Sequence, residues 1–191
     1  MSFTETIYGI FFEPTVTLRT LADKKPYGGA LLIFLGVTLL SILFEQALSV
    51  YTEHELLAMV PANAFWMINL FGVVLSFFLL MVISGLLSLI SEIIYGKFNA
   101  GGILVALCYA SIPGILGPPL RYASSLAGIQ WLGVVLAGLS MIWVLVLQVI
   151  GVRESLRVTT GQAILIMLLP LVVLVILTTG LIVAAVLTMD V

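Results

Sequence analysis

Long, uninterrupted apolar runs dominate this sequence, and they decide its environment before any motif is considered. Of its 191 residues, 62% are hydrophobic and only 8% are charged, whereas a soluble domain is about 25% charged. A water-soluble fold of this size leaves too much surface exposed to hide so much apolar area. A lipid bilayer removes this conflict, so the sequence predicts an integral membrane protein.

Five of these runs are long enough to cross a membrane, because a hydrocarbon core of about 30 Å needs about 20 apolar residues of helix. They cover residues 27–50, 62–94, 101–120, 128–152 and 162–187. The second run is longer than a perpendicular span requires, so we expect it to tilt or to project into water. The predicted fold is an all-α polytopic membrane protein, with five transmembrane helices in one domain over residues 27–191.

The third run has two interpretations, because it contains Pro113, Pro118 and Pro119. Proline removes a backbone donor, and an unmet carbonyl is costly in lipid, so residues 101–120 form either a kinked span or a re-entrant hairpin. With five spans and a cytoplasmic N-terminus, six basic residues lie inside and only Arg121 lies outside. The hairpin gives five against two. The positive-inside rule therefore favours five spans, with the C-terminus outside.

Residues 1–26 are predicted to form a cytoplasmic amphipathic segment. Pro14 suits the first turn of a helix, and Lys24 and Lys25 suit its C-terminal end. We expect a short helix over residues 14–23 that lies on the inner membrane surface, with a disordered tail as the alternative. No basic region typical of a signal peptide precedes it, so the first run is expected to act as an uncleaved insertion signal.

Several motifs occur in an order and spacing that are specific together. They are Phe-Phe-Glu-Pro-Thr at 11–15, Lys-Lys-Pro at 24–26, Tyr-Gly-Lys-Phe-Asn-Ala-Gly-Gly at 95–102, Tyr-Ala-Ser-Ile-Pro at 109–113 and the stretch 138–163. In this combination the chain resembles the Yip1 domain family over nearly its whole length. The resemblance implies a five-helix membrane protein with a cytoplasmic N-terminus. Eukaryotic relatives act in membrane traffic and contact Rab-type GTPases.

Two departures from the eukaryotic pattern bear on partners. The motif Asp-Leu-Tyr-Gly-Pro is missing before the first run, and the region preceding that run has only about 26 residues. Both departures argue against Rab-type GTPase binding here. They favour a prokaryotic member of the family in the plasma membrane.

Two ionisable residues within the runs are candidate functional positions, because charge inside a membrane is costly. Glu45, near the outer end of the first run, is either a proton or cation ligand or a side chain that reaches the interface. Glu92 lies near the inner end of the second run. It either pairs with Lys97, Arg153 or Arg157 to fix a helix end, or enters the bundle, where it could carry a proton.

Tyr109 and Pro113 are candidates through geometry. They are four residues apart and share one helix face, and Pro113 leaves the Tyr109 carbonyl without its helical donor. The third span should therefore be kinked or partly unwound. Broken helices line binding sites in many transporters, but they also occur in bundles without a transport role.

Other classes of site find little support. His54, between Glu53 and Glu55 in an outer loop, is better explained as a solvated acidic turn than as a metal site, which needs more ligands on rigid elements. Nucleic-acid binding would need a basic cluster that the sequence lacks, and no phosphate-binding loop motif occurs. We expect no metal and no cofactor.

The sequence favours a non-enzymatic Yip1-type membrane protein with an organising or interaction role. Its expected partners are the lipid bilayer and other membrane proteins or further copies of this chain. The alternative is a small oligomeric transporter or channel that uses the broken third span and Glu92. An intramembrane enzyme is the weakest hypothesis, because both aspartates, Asp23 and Asp190, lie near water.

Overall fold

A computed structural model describes residues 3–49 and 62–189 of the chain. These residues form eight α-helices and one 3₁₀ helix. The α-helices are α1 (Phe3–Phe12), α2 (Pro14–Lys24), α3 (Tyr27–Ser49), α4 (Ala62–Tyr95), α5 (Ala100–Ala110), α6 (Gly117–Leu126), α7 (Gln130–Leu156) and α8 (Thr160–Met189), and the 3₁₀ helix is Ile112–Leu116. Five stretches are long and apolar enough to cross a membrane. The prediction of an all-α protein with five spans is confirmed.

The third span is broken near its middle. Helix α5 ends at Ala110, the chain continues as the 3₁₀ helix that contains Pro113, and α6 begins at Gly117. The span from Ala100 to Leu126 contains 27 residues, and at about 1.5 Å per residue this length exceeds a bilayer core. The partial unwinding expected from the prolines is confirmed, and the segment is long enough to cross the membrane.

The third span is also the centre of the bundle. In its most apolar window 56% of the residues are buried, against 6% in the spans formed by α3 and α8. Helix α5 packs against α2, α3, α4 and α7. Its residues Val105, Ala106 and Cys108 form one core with Leu18 of α2 and Leu147 of α7.

Helix α2 matches the predicted helix over residues 14–23 closely, but its apolar side is covered differently. Leu18 and Leu21 are buried in the core around α5. The surface covering them is protein rather than lipid, because α2 packs against α5 and α7. Helix α2 docks at one end of the bundle, and this end is called the α2 end.

Helix α1 was not expected from the sequence. It packs on α2 and exposes Phe3, Tyr8 and Phe12. The rings of Tyr8 and Phe12 stack with their centroids 4.5 Å apart. An exposed aromatic face beside a membrane span is typical of a helix that lies at the interface.

Helix α7 extends to Leu156, four residues beyond the predicted run 128–152. Arg153 is therefore part of a helix rather than of a loop. The extension carries the polar residues Arg153, Glu154 and Ser155 into contact with the α2 end.

Close packing between α5 and α7 depends on Gly151. A side-chain carbon at this position would lie 3.0 Å from the Cβ of Ala106, whereas one at Gly138 of the same helix would meet nothing within 4 Å.

We expect Gly151→Val to destabilise the protein by about 1–3 kcal/mol through overpacking. Gly138→Val, the control, carries the same helix-propensity cost without the clash. Thermal unfolding in detergent that shows equal losses for both variants would contradict this packing.

Candidate functional site

A buried carboxylate holds α2 against the bundle. The side chain of Glu154 on α7 is only 7% exposed and pairs with two arginines. The Nε of Arg19 lies 2.9 Å from one carboxylate oxygen, and Arg153 Nη2 lies 2.8 Å from the other. The Arg19 contact is an ion pair without hydrogen-bond alignment, since that oxygen has no hydrogen-bond donor among the described residues. We call these three residues the α2 clamp.

Arg153 extends the clamp to α8 and adds a second contact with α2. Its Nη1 donates to Thr160 Oγ1 of α8 at 3.1 Å, and its Nη2 donates to Thr15 Oγ1 of α2 at 3.2 Å. Its Nε donates to Glu154 at 2.9 Å. A buried carboxylate without partners would cost several kcal/mol, so Glu154 favours the docked position of α2, in which Arg19 lies beside it.

Asn99 joins three helices at the same end. Its backbone N–H donates to Ser88 Oγ of α4 at 2.8 Å, and its Nδ2 donates to the Ser155 carbonyl of α7 at 2.9 Å. Its Oδ1 accepts from the Gly102 N–H at 3.1 Å, which caps α5. A single residue thus fixes the start of the third span relative to its neighbours.

The two acidic candidates from the sequence lie outside these networks. Glu45 is exposed near the far end of α3, and Glu92 is exposed on α4. The basic residues expected to pair with Glu92 have other partners. Lys97 donates to the Arg157 carbonyl at 2.5 Å, Arg153 pairs with Glu154, and Arg157 pairs with Asp23. A functional role for Glu45 or Glu92 stays a prediction.

Tyr109 lies in the last turn of α5, Pro113 lies in the 3₁₀ helix at the break, and both are buried. Ser111 Oγ donates to the Cys108 carbonyl at 2.6 Å, at the end of α5. Ser140 Oγ of α7 donates to the Pro113 carbonyl at 2.5 Å. Hydroxyl groups therefore satisfy carbonyls at the break, as a bilayer requires. A functional role for either residue also stays a prediction.

A cavity of about 300 Å³ adjoins the break on the side away from the α2 end. Its polar lining residues are Ser41 of α3, Ser111, Arg121 of α6 and Ser140. Ser111 and Ser140 already use their hydroxyl protons at the break. The cavity can accept hydrogen bonds and offers the Arg121 cation.

The acidic loop at residues 53–55 lies outside the described residues. In the part that is described, no group of three His, Cys, Asp or Glu side chains is arranged to hold a metal ion.

The α2 clamp and Asn99 were not identified as important from the sequence, although signals for both exist. Leu147, Gly151 and Glu154 recur at helical spacing, which places the carboxylate on a buried face. Asn99 directly precedes a helix, where asparagine is a preferred N-cap residue.

We expect Glu154→Gln to loosen α2, because the neutral amide loses both charge-assisted contacts, at a cost of about 1–3 kcal/mol. Trypsin should then cut more rapidly after Arg19 and Lys24, and thermal stability should fall. The control Glu92→Gln removes the same charge at an exposed position, where substitutions usually change stability by less than about 0.5 kcal/mol. Equal trypsin resistance in both variants would show that the clamp does not retain α2.

Comparison with protein families identifies the chain. The Yip1 domain matches residues 8–182. Comparison with curated proteins gave no match, and comparison with solved structures gave none either. The matched region includes α2 with its clamp and all five spans. This integral membrane protein therefore belongs to the Yip1 domain family.

Proposed function

We propose that this Yip1-domain protein has a non-enzymatic organising role and acts by contacting other membrane helices. The observation that carries this proposal is the exposure of α8 beyond Pro170. Every residue from 171 to 181 is exposed, so no described part of the chain covers any side of the helix over this length. A helix that is uncovered on every side offers a full circumference to lipid or to a partner.

The chemistry of this segment suits a helical partner. Thr178, Thr179 and Gly180 are small residues that permit close approach between helices in lipid. Thr178 Oγ1 donates to the carbonyl of Leu174 at 2.9 Å, so this hydroxyl is satisfied within the helix. The partner we propose is another membrane protein or a second copy of this chain.

We propose that the α2 end is cytoplasmic and that the C-terminus lies outside, in a prokaryotic plasma membrane. Six basic residues support this orientation because they meet at the α2 end, whereas Arg121 lies in α6 on the far side of the break. They are Arg19, Lys24, Lys25, Lys97, Arg153 and Arg157. In this orientation residues 1–26 form a cytoplasmic segment and residues 27–191 form one membrane domain.

Photo-cross-linking from two matched positions tests the organising role. A photoreactive residue at Leu174 should form discrete protein adducts in native membranes, because a partner helix covers this part of α8. The control position is Leu43 of α3, which is similarly exposed and lies at a similar number of residues from the α2 end. Lipid adducts alone at Leu174, or the same adducts at both positions, would refute partner contact through α8.

The cavity beside the broken span supports a second candidate, a small oligomeric permease. Ser140→Leu would fill this cavity, and Glu92→Gln would remove the other group assigned to transport. A permease predicts a proton or ion flux in proteoliposomes that Ser140→Leu lowers. The organising role predicts a flux equal to that of empty liposomes for the unchanged protein and for both variants, measured with an enclosed pH-sensitive dye under a pH gradient.

A further inference from the structure

An open cleft of about 510 Å³ lies at the α2 end, separate from the clamp and from the broken span. Its walls come from the end of α2, the connection between α4 and α5, and the end of α7. Three cations line it, Lys25, Lys97 and Arg157, together with one carboxylate, Asp23. The excess of positive charge suits an anionic ligand.

The backbone at two of these cations is unusual. Lys25 and Arg157 are the non-glycine residues with positive φ in the described part of the chain, at 49° and 53°. Each ends a helix, where glycine is the usual residue for this conformation. A left-handed conformation costs a residue with a side chain about 1–2 kcal/mol, and here both such residues are basic and line the same cleft. This coincidence indicates that the side chains have a use beyond ending a helix.

Lys97 donates to the Arg157 carbonyl, but the guanidinium of Arg157 itself is only loosely engaged within the protein. Arg157 lies 3.4 Å from Asp23, and both side chains are more than half exposed, so water screens this pair and makes it weak. An incoming anion with two or more oxygens can replace Asp23 on the planar guanidinium.

The floor of the cleft contains a further polar group. Ser155 lines the cleft and is nearly fully buried, and its hydroxyl has no hydrogen-bond partner among the described residues. Asn99 lies beside it, fixed by its bonds to α4, α5 and α7. The cleft therefore has a polar floor, formed by Ser155 and Asn99, between cationic walls.

Phe98 indicates the level of the cleft relative to the membrane. It lines the cleft next to Lys97 and is 58% exposed. An exposed aromatic residue beside a cation, at the end of a transmembrane helix, is typical of the headgroup region. We propose that this cleft binds the phosphate group of an anionic phospholipid headgroup. The proposal does not depend on the contacts of α8 or on transport.

Native mass spectrometry of the full chain with phosphatidic acid and with phosphatidylcholine tests this site. Phosphatidic acid should bind more tightly, and Lys97→Gln should weaken its binding about fivefold, the loss expected for one basic residue near a lipid surface. Lys24 is next to Lys25 in the chain, is exposed and does not line the cleft. Lys24→Gln removes the same charge and should change phosphatidic acid binding less than twofold. Equal losses in the two variants would mean diffuse attraction to the surface, and would overturn the site.

Arg157→Gly separates lipid binding from folding. Glycine adopts the left-handed conformation without strain, so the thermal midpoint should be unchanged or higher while phosphatidic acid binding falls about fivefold. Asp23→Asn removes the competing carboxylate and should strengthen binding. Unchanged phosphatidic acid binding in Arg157→Gly would mean that Arg157 serves only to end α7, and would overturn the proposal. Equal affinity for free glycerol phosphate would overturn the assignment to a lipid.

Discussion

Burial of the broken third span is the constraint on which the rest of the bundle depends. Its two helical halves contact the spans formed by α3 and α7, and α5 also contacts α4 and α2. Lipid provides no hydrophobic driving force between helices, so shape and polar contacts must hold them together. The absence of a side chain at Gly151, which admits Ala106 of α5, is one such feature of shape.

The break survives within a membrane because the protein meets its polar needs internally. Ser111 and Ser140 each donate to a carbonyl near Pro113. Lipid-exposed irregular backbone is not tolerated at membrane depth, but irregular backbone buried in protein is. The irregular backbone therefore requires the central position, since a broken helix at the edge of the bundle would present unmet carbonyls to lipid.

The sequence predicted those features that local chemistry decides. Run lengths located the five spans within a few residues, Pro14 indicated the start of α2, and Pro113 indicated the break. Features that depend on distant partners were missed. The polar extension of α7 becomes buried because α2, more than 130 residues earlier, docks against it. The helical spacing of Leu147, Gly151 and Glu154 indicates a buried face but not which segment covers it. Helix α1 was missed because its stability comes from packing on α2.

The separation between α2 and its docking site also has a consequence for biosynthesis. Thr15 meets Arg153 across 138 residues of chain, and Asp23 meets Arg157 across 134. At roughly 5–20 residues per second, a ribosome needs on the order of ten seconds to synthesise the interval. Throughout that time the apolar side of α2 lacks its final cover and must be shielded by the membrane surface or by a chaperone. In the nascent chain α2 thus remains an amphipathic helix until the fourth span has been inserted. Its apolar side is then buried against α7.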